Sequence, residues 1–241
     1  MLEAESALGY HSSGRSVSFS HYGIGNSVVR GLTAASRPFF EAQPEGFCET
    51  PISRLFASLY FAGEEALQDL AALEQAMSAY TDAIRPVGAV EMAALCPMLR
   101  TGPGGAIRGL LDSTGLKLDA DALLHSFARA TRAAGGTVLT GQRIVAIART
   151  GERWTVRTEA GDTHEAPILI DAAGAWADRI AVLAGVRPLG LQPKRRTIIV
   201  LDPPAGTDVS GWPFTLAAAG DFYMLPEAGQ ILVSPVDEVD E

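Results

Sequence analysis

Six consecutive residues, His11-Ser12-Ser13-Gly14-Arg15-Ser16, gather hydroxyls, a flexible glycine and one guanidinium. Such a set suits anionic oxygens, which Arg and backbone N–H groups both stabilise. A serine-rich surface loop has the same composition. Upstream, Leu2-Glu3 reads as the end of a strand, where an acid can accept hydrogen bonds from ribose hydroxyls. A solvated terminal glutamate reads identically. The third stretch is Ile168-Leu169-Ile170-Asp171-Ala172-Ala173-Gly174-Ala175-Trp176-Ala177. An apolar strand that ends in tiny side chains and turns into a helix lets a ligand approach the backbone, with phosphates near the helix N-terminus. Close helix–strand packing without a ligand gives the same pattern.

The remaining reactive types are sparse. His11, His21, His125 and His164 include no pair at the i,i+4 spacing of a helical metal site, so no metal is expected. Cys48 and Cys96 are far apart and outside metal-ligand spacings, which points away from a disulfide scaffold and toward a reducing cytoplasm. The formal charge of −9, with Lys194-Arg195-Arg196 as the only dense basic run, argues against nucleic-acid binding. No apolar run approaches the roughly 18–20 residues that span a bilayer. With 241 residues, 47% of them hydrophobic, the chain can bury a substantial core.

These residues need elements to hold them. Asn26 caps a helix carrying Val28, Val29, Leu32, Ala35, Phe39 and Phe40 on one side. Ser53 to Ala62 reads as one strand. An amphipathic helix runs from Gly63-Glu64-Glu65 to about Tyr80, and a short one covers Ala89 to Leu95. Gly115–Asp119 leads into a helix from about Ala120 to Ala134, stopped by Gly135-Gly136. Thr137–Leu139 and Arg143–Ala148 follow as strands. Trp154–Thr158 then turns at Gly161-Asp162, which places His164 in a hairpin turn. The continuous run Pro167–Ile170 suggests a strand buried on both faces. A helix to about Ala184 follows, and Thr197–Leu201, Phe222–Met224 and Ile231–Val233 complete a further sheet. The pattern is α/β with a mixed second sheet.

In this order, the stretches resemble the D-amino-acid oxidase, glycine oxidase and sarcosine oxidase family of FAD enzymes. The resemblance is carried by Leu2-Glu3-Ala4-Glu5 and Gly9 to Ser16, then Gly135-Gly136-Thr137-Val138 with Ile144 to Ile147, and finally Asp171 to Ala177. It implies an incomplete FAD/NAD(P)-binding Rossmann-like domain, over 1–48 and 115–186, and a mixed-sheet α+β substrate domain, over 49–114 and 187–241. It implies FAD as cofactor, with Glu3 on the adenosine ribose. Ser12, Ser13, Gly14, Arg15 and Ser16 would line the pyrophosphate and flavin, Val145 would hold adenine through its main chain, and Ala173, Gly174 and Trp176 would lie against the cofactor. Tyr223 takes the place of a substrate-facing aromatic, although a tyrosine on a strand also serves a core. The implied activity is hydride transfer from an amino acid or secondary amine to flavin; the composition adds the expectation of a cytoplasmic protein that contacts neither nucleic acid nor membrane. Either a homo- or a hetero-oligomer is compatible with it.

The sequence departs from the family pattern at both ends. The family opens on Gly-x-Gly-x-x-Gly, whereas Gly23-Ile24-Gly25 lacks the third glycine and follows no buried strand. The family's flavin-closing C-terminal segment has no counterpart before Glu241. Both ends read as those of a fragment. Two other readings remain open: a non-catalytic binding or subunit module, and a nicotinamide-linked dehydrogenase.

Overall fold

In the computed structural model, which describes residues 1–241, Leu59 and Tyr60 point to opposite faces of one strand, and both faces are covered. That strand, Ser58–Ala62, lies inside a seven-stranded mixed sheet. The strand order is 199–201, 230–234, 223–227, 214–217, 58–62, 108–112, 84–88. All neighbours are antiparallel except Phe214–Ala217, which runs parallel to Ser58–Ala62. Burial on both faces explains why Leu59-Tyr60-Phe61 is apolar without alternation.

Five helices accompany the strands: α1 (Ser27–Glu41), α2 (Leu67–Met77), α3 (Ala89–Leu95), α4 (Ala120–Ala133) and α5 (Ala177–Leu183). One core layer packs Leu59, Val87, Met224 and Ile231 with Met92 of α3 and with Trp212. The other packs Tyr60 and Leu110 with Leu70 and Met77 of α2 and with Tyr22. Within this second layer, Tyr60 Oη lies 2.7 Å from His21 Nδ1, and both residues are buried. Burial, and after it the nearby positive Arg30, lowers the His21 pKa to about 4. Burial, reinforced by the Asp112 charge, pushes the Tyr60 phenol well above its usual range. Tyr60 therefore keeps its proton and His21 is neutral, so a hydrogen bond between two uncharged groups joins them.

α1 begins as the sequence suggests: the Asn26 side chain accepts from the N–H groups of Val28 (3.0 Å) and Val29 (3.1 Å). Removing this cap with Asn26→Ala should lower stability by about 1 kcal/mol, read as a shift in denaturant midpoint without a change in slope. No shift would mean that the first turn contributes nothing.

Contacts divide the chain into two units. One comprises Met1–Ser16, Ala120–Lys194 and Asp240–Glu241, the other Val17–Asp119 and Arg195–Val239. Residues 17–48 thus group with the unit that contains the large sheet: Phe19 and Ser20 pair with Lys117 and Leu116 in a separate three-stranded sheet of that unit, and Tyr22 enters the core. The smaller unit holds α4, α5 and an antiparallel three-stranded meander, Ile144–Thr150, Arg153–Thr158 and Thr163–Ala166. α4 ends at Gly135, whose φ of +82° is the left-handed conformation that glycine tolerates.

Several expectations are corrected. Ser53–Ala62 is two strands in two sheets, because the Phe56 N–H turns to the Gly115 carbonyl and the Ala57 carbonyl to the Phe214 N–H. Thr137–Leu139 makes only a single parallel bridge, Leu139 to Leu2. His164 lies within a strand rather than in the turn before it. Pro167–Ile170 is neither paired nor buried: no strand runs beside it, and Ile168 and Ile170 are 72% and 80% exposed. Ile84–Gly88, with Pro86 at its centre, was not expected as a strand. It sits at the sheet edge, where a missing N–H donor is tolerated.

Candidate functional site

Most of the candidate residues fall in the smaller unit. Residues 1–3 run beside 137–142, and the chain bends at Ala4 and Glu5. The Glu3 N–H donates to the Leu139 carbonyl (2.8 Å), and the Glu3 carbonyl accepts from the Gln142 N–H (2.8 Å). The Glu3 carboxylate is steadied by the Glu5 N–H, which donates to Oε1 at 3.0 Å. Its second oxygen can accept from a hydroxyl.

Ser12–Arg15 form one 3₁₀ turn. Its tightness requires Gly14: a Cβ there would stand 2.2 Å from the Gly9 carbonyl oxygen, which already accepts the Gly14 N–H at 2.9 Å. The Arg15 guanidinium lies 5.3 Å from the centre of the Tyr10 ring. Ser16 closes the turn in extended conformation.

Asp171 Oδ1 accepts the Ala173 N–H (3.0 Å), and Gly174, with φ +55°, opens the short turn Gly174–Trp176 before α5. Asp178 then accepts the N–H groups of Leu189, Gly190 and Leu191, pinning the loop after α5. These donors hold its carboxyl below the usual range, the Leu189 N–H most strongly.

Contact between two of these segments is direct: the His11 ring lies 4.5 Å from Trp176. Val145 sits at a bulge. The pairing of 144–150 with 153–158 skips from Ile144 to Ala146, which takes the Val145 backbone out of the ladder. Glu3, the 12–16 turn, Val145 and Ala173-Gly174-Trp176 therefore all belong to one unit. Tyr223 does not. It lies on Tyr223–Glu227 in the larger unit, edge-on to Phe214 at 5.4 Å. Two surface grooves, one along Pro86, Val87 and Arg108 and one along Asp178, Val182 and Pro188, contain none of these residues.

Sequence reading missed Glu5 and Arg143. Glu5 Oε1 lies 3.1 Å from His11 Nε2 and 3.6 Å from Arg143 Nη2. An exposed-looking acid two residues after Glu3 gives no local signal of such a role, since its partners are six and 138 residues away.

No helix is long and apolar enough to cross a membrane. Among solved structures, the chain is similar to an L-alpha-glycerophosphate oxidase from Mycoplasma pneumoniae with FAD bound (TM-score 0.86, 18% identity, 99% of this chain and 64% of that one). It is also similar to a glycine oxidase from Geobacillus kaustophilus (0.80, 18%, 99% and 64%) and an L-proline dehydrogenase from P. horikoshii (0.80, 16%, 96% and 62%). At these identities the likeness concerns the fold, and the chain spans less than two thirds of each relative's length. In sequence, the family described as FAD dependent oxidoreductase (DAO) matches residues 1–241 without a gap at either end. By that match, the chain belongs to the DAO family of FAD-dependent oxidoreductases.

Proposed function

We propose that this polypeptide is the body of a flavoenzyme that oxidises an amino acid or a secondary amine. The observation that carries the reading is the gathering of Glu3, the Ser12–Arg15 turn, Val145 and the 173–176 turn in one unit of a chain matched throughout by the family. Their chemistry fits FAD. Glu3 offers a carboxylate oxygen to the adenosine ribose, and the bulged Val145 offers backbone groups to adenine. Ser12, Ser13, Arg15 and Ser16 supply hydroxyl and guanidinium donors for pyrophosphate and flavin oxygens, with Gly14 permitting the turn. Ala173 and Gly174 allow close approach, and Trp176 gives a ring face. Bound there, FAD would supply the acceptor for a hydride from the carbon that bears the amine. The protein's part is to orient that carbon and exclude water. In this assignment the smaller unit holds the cofactor, the larger unit meets the substrate, and Tyr223 is a substrate-facing aromatic.

The test is the visible spectrum of the purified chain before and after FAD is added and the excess removed. Retained flavin with a structured spectrum, bleached anaerobically by an amine or amino acid, is the expected result. A colourless protein that holds no FAD would sink the claim and favour a subunit or binding module. Retention of a nicotinamide dinucleotide instead would favour a dehydrogenase.

A further inference from the structure

Glu5 ties together more of the candidate site than any residue the sequence singles out. Its N–H donates to Glu3 Oε1, and its carbonyl accepts the Gly141 N–H at 2.8 Å. Its carboxylate, only a quarter exposed, receives His11 Nε2 at 3.1 Å and faces Arg143 Nη2 at 3.6 Å. His11 then carries the connection to Trp176, 4.5 Å away between ring centres. One side chain thus joins the N-terminal residues, the 9–16 loop and the start of the meander, and through His11 it reaches the turn before α5.

Partly exposed ion pairs contribute little to folding stability, because water screens them and ordering the side chains costs entropy. The value of this one is geometric. A loop rich in serine and glycine has many conformations, and fixing one before a ligand arrives removes an ordering cost from binding.

We propose that Glu5 is a positioning residue for the flavin-bearing half of the dinucleotide. It holds His11 against Trp176, and through His11 it sets the Ser12–Arg15 turn, while Glu3 serves the adenosine half. The inference rests on the reading of the site given above. It assigns the two acids of Glu3-Ala4-Glu5 to different ends of one ligand.

The experiment uses the full chain labelled with 5-fluorotryptophan, whose fluorine spectrum carries Trp154, Trp176 and Trp212. The Trp176 resonance is assigned by its loss in Trp176→Phe. Glu5→Ala should move the Trp176 resonance alone and weaken FAD binding about tenfold, while AMP, which lacks the flavin half, binds unchanged. Glu5→Gln, which retains an oxygen for His11, should recover most of the FAD affinity. An unmoved Trp176 resonance or an unchanged FAD affinity in Glu5→Ala overturns the proposal. So does movement of all three resonances, or equal loss of AMP and FAD, since either marks a general structural role. If the unsubstituted chain binds neither FAD nor AMP, the reading of the site itself fails and this proposal falls with it. If it binds both and Glu5→Ala behaves identically, only the role of Glu5 fails.

Discussion

Lowering the pH from 6.5 toward 4 should remove about 3 kcal/mol of folding stability through His21 alone. The sign follows from the depressed pKa. Below 6.5 the unfolded chain takes up a proton on His21, while the folded chain, where the ring is buried beside Tyr60 and near the positive Arg30, does not until about 4. Stability is therefore full above 6.5, falls through the window and levels off beneath it. Carboxylates titrate in the same range, so the measurement needs a reference. In His21→Phe/Tyr60→Phe both partners become apolar, leaving neither group orphaned. Denaturant unfolding of the two proteins across the window should show the extra slope only in the unsubstituted chain. Parallel pH profiles would mean that His21 is hydrated or protonated in the fold.

The second large effect is expected at Leu59. Its side chain is fully buried between Val87, Met92, Met224 and Ile231, in the middle of the large sheet. Leu59→Ala deletes those contacts and leaves a cavity that strands on either side cannot close. The expected loss is about 3 kcal/mol. Val28 on α1 is the internal contrast: it is 68% exposed, and Val28→Ala should change stability by no more than about 0.5 kcal/mol. Thermal and denaturant midpoints of the two variants check both figures. A loss below about 1 kcal/mol at Leu59 would show that its surroundings relax into the space.

Elements with local signals were legible in the sequence. Asn26 announces α1, Gly135 stops α4, and Ala89–Leu95 and the hairpin strands appear where period and turn residues put them. What failed depends on distant chain. The break at Phe56-Ala57 is set by Gly115 and Phe214, far along the sequence. Ile84–Gly88 becomes a strand despite Pro86 because Arg108–Asp112 pairs with it. The run 167–170 has the composition of a buried strand, but no neighbouring strand pairs with it. The same division holds at the candidate site. Gly14, Gly174 and the small-residue turn are visible as residue types. The bulge that frees Val145 is a property of the pairing between strands, and the node at Glu5 of contacts across 138 residues.

The open run at Ile168 and Ile170 also bears on how molecules of this chain meet one another. Ile199, Val200 and Leu201, on the outermost strand of the large sheet, are about half exposed, so the chain carries a second apolar stretch with one unoccupied hydrogen-bonding edge. Such edges invite cross-molecule strand pairing. What opposes it is the repulsion between copies that each carry a charge of −9. Between copies of residues 1–241, charge repulsion therefore opposes pairing at these edges. Salt near 1 M, where screening shortens to about 3 Å, and a pH near 5.0, where the net charge passes through zero, both weaken that protection.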